Sequence, residues 1–239
     1  MRLPVWRLEW RTARRRRRLF LLNTGVPLLL VLPVALSDAP TFHAAAVYTV
    51  LFVLFGLFGQ AIPLLRDGEQ GLLRRLVLTG YGERPLAAER ILAGSALDLL
   101  QLSPALAVIV WTWAPSWTAL ATTAPALTLT LITANSLGFW VAAGARSLAE
   151  GALLAAVTGI LLVHGAGAFR TPAPGSAAEI LALVLPFGLL HRVHLSLPGS
   201  PSPTWEAALP AMAITVLALG LTVAAAPSLL RRIGGERPS

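Results

Sequence analysis

The residues able to do chemistry are few, and each interrupts an otherwise apolar stretch. Asp98 lies about two helical turns inside the apolar run 91–113. A carboxylate at the centre of a bilayer costs about 2.5–3.5 kcal/mol on insertion scales, so it must face protein or water. It either lines a substrate path or makes a polar packing contact, with Gln101 and Ser103 as the nearest hydrogen-bonding groups in sequence. Asn135 and Ser136 pose the same choice at lower cost. His191 and His194 stand three apart, which puts them on one helix face. They could ligate a metal or offer an axial ligand to haem, but no nearby carboxylate completes a set. The alternative is packing near the membrane surface. His43 and His164 fall at the same predicted end, so a four-histidine grouping is the widest version of the idea. The chain has no cysteine, which removes disulfides, thiolate metal sites and cysteine nucleophiles.

The second stretch with chemical content is residues 66–90. Leu72, Leu73, Leu76 and Val77 would share one side of a short helix, with Arg74 and Arg75 turned away. Asp67 and Glu69 are expected at its start, where carboxylates suit the helix dipole, and Gly80 at its end. The spacing predicts an amphipathic helix over 67–79, lying along the membrane and presenting charge to water. It either docks a partner or merely joins two spans.

These residues need a membrane to position them. Of 239 residues, 56% are hydrophobic and 13% charged, against about a quarter charged in soluble domains. The charges sit between apolar runs close to the length of about 20 residues that crosses a bilayer. The predicted architecture is all-α integral membrane, a single transmembrane domain over 19–239 preceded by a basic segment, 1–18. Its six spans are 19–36, 42–65, 91–113, 117–145, 148–168 and 205–230. In 1–18, Leu3, Trp6, Trp10 and Ala13 share a helical face beside Arg7 and Arg11, which predicts an interfacial helix. The alternative is a disordered basic tail. The run after Arg18 is too long for a signal-peptide core, and Ser37-Asp38-Ala39-Pro40 is a poor cleavage site.

All nineteen basic residues are arginine. Seventeen fall in the N-terminal segment, the 66–90 loop, Arg146 and the C-terminus; only Arg170 and Arg192 fall opposite. The positive-inside rule therefore predicts both termini and the 66–90 loop in the cytoplasm. Clusters beside apolar spans suit anionic lipid headgroups rather than nucleic acid. Residues 177–197 resemble a seventh span, but Pro186 and Gly188 break the run and His191, Arg192 and His194 follow. A seventh span would also move Arg231, Arg232 and Arg237 outside. An outer re-entrant hairpin, bracketed by Pro172, Pro174, Pro198, Pro201 and Pro203, satisfies both facts. Glu150 is expected to pair with Arg146 at i, i+4.

The 66–90 loop resembles the cytoplasmic loop of ABC type-2 permeases through Glu69, Gly71, Leu72, Leu73, Leu76, Thr79 and Arg90. It departs where proline often follows the threonine, since Gly80-Tyr81-Gly82 intervenes, and where lysine is common at the Arg90 position. The interfacial helix, the turn Gly144-Ala145-Arg146-Ser147-Leu148-Ala149-Glu150 and the outer hairpin are similar to further parts of that family. The resemblance implies that 67–79 is a coupling helix, with Asp67, Glu69, Gly71, Leu72, Leu73, Arg74, Arg75 and Leu76 contacting a separate ATP-binding subunit. Without lysine the chain has no phosphate-binding loop, so ATP and Mg belong to that partner. Six spans imply a second permease subunit, in a homo- or heterodimer in a bacterial inner membrane, exporting a hydrophobic or amphipathic substrate without catalysis. A narrower version is the haem-handling permease of cytochrome c maturation, which the outer histidines suit. A membrane-embedded lipid-modifying enzyme or an assembly factor are the competing classes.

Overall fold

The computed structural model describes residues 5–199 and 205–234; Leu3, Pro201, Pro203 and Arg237 lie outside them. Every described element is a helix. In chain order they are α1 (Val5–Arg15), α2 (Arg17–Ala35), α3 (Thr41–Glu69), α4 (Leu72–Leu78), α5 (Glu83–Trp113), α6 (Trp117–Gly144), α7 (Leu148–Gly165), α8 (Ala177–Val184), α9 (Pro186–Ser196) and α10 (Trp205–Ile233). Six of them (α2, α3, α5, α6, α7 and α10) are long and apolar enough to cross a bilayer. The chain is a membrane-embedded helical bundle.

The core lies between α3 and α6, whose spans are 56% and 67% buried. In α2 and α10 only 17% is buried, so these helices present their leucines and valines outward, as lipid-facing helices do. Three apolar clusters fill the interior. One, around Tyr48, Phe52, Ile109 and Leu127, lies toward the end carrying α9. Another, around Leu64, Leu73, Ile91, Phe139 and Leu230, lies toward the arginine-rich end carrying α4. The third joins α3 to α7 and Phe187 of α9.

Most span limits fall within three residues of expectation, with two corrections. α3 does not stop at 65 but runs on to Glu69, and ends because Gly71 takes a left-handed conformation (φ 67°) that only glycine adopts without strain. Asp67 and Glu69 therefore lie in the last turn of α3 and do not open α4, which is shortened to seven residues. α5 begins at Glu83 rather than 91: Pro85 falls in its first turn, where the missing N–H costs nothing.

Residues 177–197 do break at the predicted proline. α8 and α9 meet at an angle of 82° across Leu185, with Pro186 opening α9. Arg192 holds the bend, its Nη1 donating to the carbonyl of Ala182 at 2.6 Å and its Nη2 to that of Leu183 at 3.3 Å. These are carbonyls that the end of α8 leaves without helical partners. Gly188 packs directly on the Ala182 carbonyl, leaving no room for a Cβ.

Candidate functional site

At the arginine-rich end, a single buried guanidinium gathers three elements. Arg90 of α5 forms ion pairs with Glu9 of α1 and Asp67 of α3. Beside it Glu89 accepts the backbone N–H of Val5 at 2.8 Å, satisfying one of the free donors at the start of α1. Interior packing of α1 therefore runs through Val5 and Glu9, and Trp6 points away, 56% exposed. That leaves Trp6, on the face expected to meet lipid headgroups, turned out of the bundle. Trp10 instead lies under the Arg14 guanidinium, 5.5 Å from the ring centre.

α4 hangs outside this junction. Leu73 is 1% exposed and plugs the apolar cluster, Leu72, Leu76 and Val77 are half-buried, and Arg74, Arg75 and Leu78 are exposed, so the predicted two-sidedness is present. Arg75 folds back and donates to the Gln70 carbonyl at 3.1 Å. A cleft of about 210 Å³ separates α4 from the end of α10, lined by Leu73, Arg74, Val77, Leu78, Glu83 and Arg231 among others. Gly80, with φ 80°, ends the helix as expected. At the turn before α7, Glu150 accepts the backbone N–H of Arg146 at 2.7 Å, and Ser147 accepts that of Glu150. This side-chain cap takes the place of the expected Arg146–Glu150 ion pair.

Deeper in the bundle, Asp98 of α5 meets Asn135 of α6, whose Nδ2 donates to Oδ2 at 2.8 Å. Neither Gln101 nor Ser103 is the partner. Gln60 of α3 completes a polar layer through three spans, and glycines make the space for it. A Cβ at Gly59 would sit 2.9 Å from Asp98 Oδ1. One at Gly94 would sit 2.9 Å from Gln60 Oε1 and 3.0 Å from Asn135 Oδ1. Gln60 Nε2 and Asn135 Oδ1 are buried without hydrogen bonds among the described residues. Ser136 belongs elsewhere, since its hydroxyl donates to Ile132 of its own helix. Sequence reasoning missed Gln60, Gly59 and Gly94; the signal was a Gly-Gln pair inside an apolar run.

The polar layer adjoins a cavity of about 470 Å³ bounded by α1, α2, α3 and α5. α2 leans on α5 and barely touches α3, which leaves the gap. Asp98 lines its interior, and Arg16 and Arg66 stand on its walls nearer the arginine-rich end. Arg66 Nε is buried with no hydrogen-bond partner among the described residues.

His191 and His194 are both buried in α9. His194 Nδ1 lies 3.4 Å from Thr49 Oγ1, and its ring packs against Tyr48 and Phe52. His191 sits edge-on to Phe42. Among the described residues no three of His, Cys, Asp or Glu come together as a metal site, so His43 and His164 do not join them. The Tyr48 hydroxyl, both His191 nitrogens and His194 Nε2 have no partner there.

No family model matches the sequence, and no curated protein is significantly similar to it.

Proposed function

We propose that the chain is the membrane permease of an ABC transporter, set in a bacterial inner membrane with both ends cytoplasmic. Seventeen of nineteen arginines on one side support that orientation. The observation that carries the reading is the seating of α4. It is anchored by one buried leucine, stands outside the bundle, and presents Arg74 and a 75% exposed Leu78 outward. Through Leu73 and the neighbouring ion pairs of Arg90, a push on α4 would reach α1, α3 and α5 together. A separate ATP-binding subunit, holding ATP and Mg, would supply that push. A second permease copy or sister chain would complete the pathway, and a hydrophobic or amphipathic substrate would be exported. Asp98 and Asn135 then belong to the element that re-packs.

The haem-handling version would place His191 and His194 on the ligand. Both stand on one face of one helix against aromatic rings, so haem would have to displace Phe42 or Phe52. The broader permease reading needs no such rearrangement. Its test is co-purification with an ATPase encoded beside this gene. Retention of the ATPase by the wild type, and its loss on combining Arg74→Glu with Leu78→Asp, is the expected result. If no ATPase is retained, or if the double variant retains it equally, the reading fails.

A further inference from the structure

The cavity between α2 and α3 holds two unsatisfied groups of opposite character. Arg66 Nε is buried and unpartnered on its wall, with Arg16 nearby. Asp98 spends Oδ2 on Asn135, while Oδ1 has no hydrogen bond among the described residues and belongs to the cavity lining. Burying a polar group without a partner is costly, so Arg66 calls for a complement, while Asp98 Oδ1 offers free acceptor capacity to the cavity it lines. Gly59 faces Asp98, and Arg66 follows it by seven residues on α3. Seven residues are two turns on the same face, a rise of about 10 Å. A guanidinium donor on α3 and a carboxylate acceptor on α5 therefore line one cavity, the donor nearer the arginine-rich end. The apolar remainder, with Phe20, Phe55 and Phe58, lies beside α2, which is mostly exposed along its span.

We propose that this cavity binds the head of an amine-bearing phospholipid, the phosphate on Arg66 and Arg16 and the ammonium on Asp98. An extended arginine side chain and the two-carbon link of a phosphoethanolamine head together bridge the separation along α3. A purely anionic head would leave Asp98 unanswered, and a purely cationic one would meet Arg66. A phosphocholine head carries positive charge but no N–H to give the free carboxylate oxygen. The acyl chains would leave along Phe55 and Phe58 into the bilayer. This concerns binding alone and does not rest on the permease reading, because it is measured without any ATPase.

The test is native mass spectrometry of the purified protein, titrated separately with phosphatidylethanolamine, phosphatidylcholine and phosphatidylglycerol of matched chains. The expected result is tightest retention of phosphatidylethanolamine. Arg66→Gln should weaken all three lipids by about tenfold, the scale of one lost charge-assisted hydrogen bond. Asp98→Asn should erase only the preference for the amine. Leu97→Trp, which fills the cavity from α5 without touching either charge, should lower retention of all three and serves if Asp98→Asn misfolds. Equal retention of the three lipids by the wild type, or an unchanged lipid profile in Arg66→Gln and Leu97→Trp, overturns the site. A preference for phosphatidylglycerol that ignores Asp98→Asn overturns the amine assignment.

Discussion

The Arg90 junction and the histidine-bearing end of the bundle treat buried polar groups in opposite ways. At the arginine-rich end, Arg90 answers Glu9 and Asp67, and Glu89 answers Val5. At the other end Tyr48, His191 and His194 bury polar atoms among aromatic rings with no partner among the described residues. A satisfied network fixes one arrangement of its helices, whereas unsatisfied groups need water or a second arrangement. The Arg90 junction is built to move as one body, although Arg66 nearby keeps an unpartnered Nε; the histidine-bearing end has polar capacity in reserve. The Asp98 layer lies between them and is mixed, with one good bond from Asn135 and two orphaned amide atoms beside it.

The contrast can be broken by substitution. Arg90→Leu should have the largest effect, because it strands two partly buried carboxylates. A loss of about 3–5 kcal/mol is expected, read by denaturant unfolding in detergent. An unfolding midpoint equal to the wild type would mean the junction is not rigid. Next, Leu73→Ala should cost about 2–5 kcal/mol and free α4 to hydrogen exchange, while Leu78→Ala on the exposed side should do neither. Gly94→Val pushes against Gln60 and Asn135 and should cost about 1–3 kcal/mol, separating α3 from α5 without touching the arginine junction. Crosslinking between cysteines placed on those helices reports it. The smallest change has the opposite sign. Tyr48→Phe deletes an unpartnered hydroxyl and should raise stability by about 1 kcal/mol, visible as a higher thermal midpoint. A destabilised Tyr48→Phe would show that the hydroxyl holds an ordered water, and the contrast between the ends would narrow.

Much of the fold was legible because its signals are local. The spans followed from apolar length, the α8–α9 break from Pro186, and the stop at Gly80 from glycine. The two-sidedness of α4 followed from the spacing of Leu73 and Arg74. The start of α5 was not legible, because Pro85 breaks a helix interior yet is tolerated in a first turn. Nor were Asp67 and Glu69, since acidic residues before an amphipathic run suggest a helix start. Here Asp67 is held at a helix end, against the dipole, by Arg90. Arg192 was counted only as a charge, although it closes the carbonyls at the end of α8.

By itself the sequence determined that this chain is a multi-span helical membrane protein with its arginines gathered on one side. Hydropathy and charge are properties of short windows, and a bilayer reads them window by window. Only the tertiary structure decided the partners: Asp98 with Asn135, 37 residues on, and Glu89 with Val5, 84 residues back. It also decided that Arg66 and Asp98 line one cavity. A buried charge must find a complement, and which one it finds depends on how the spans are laid side by side.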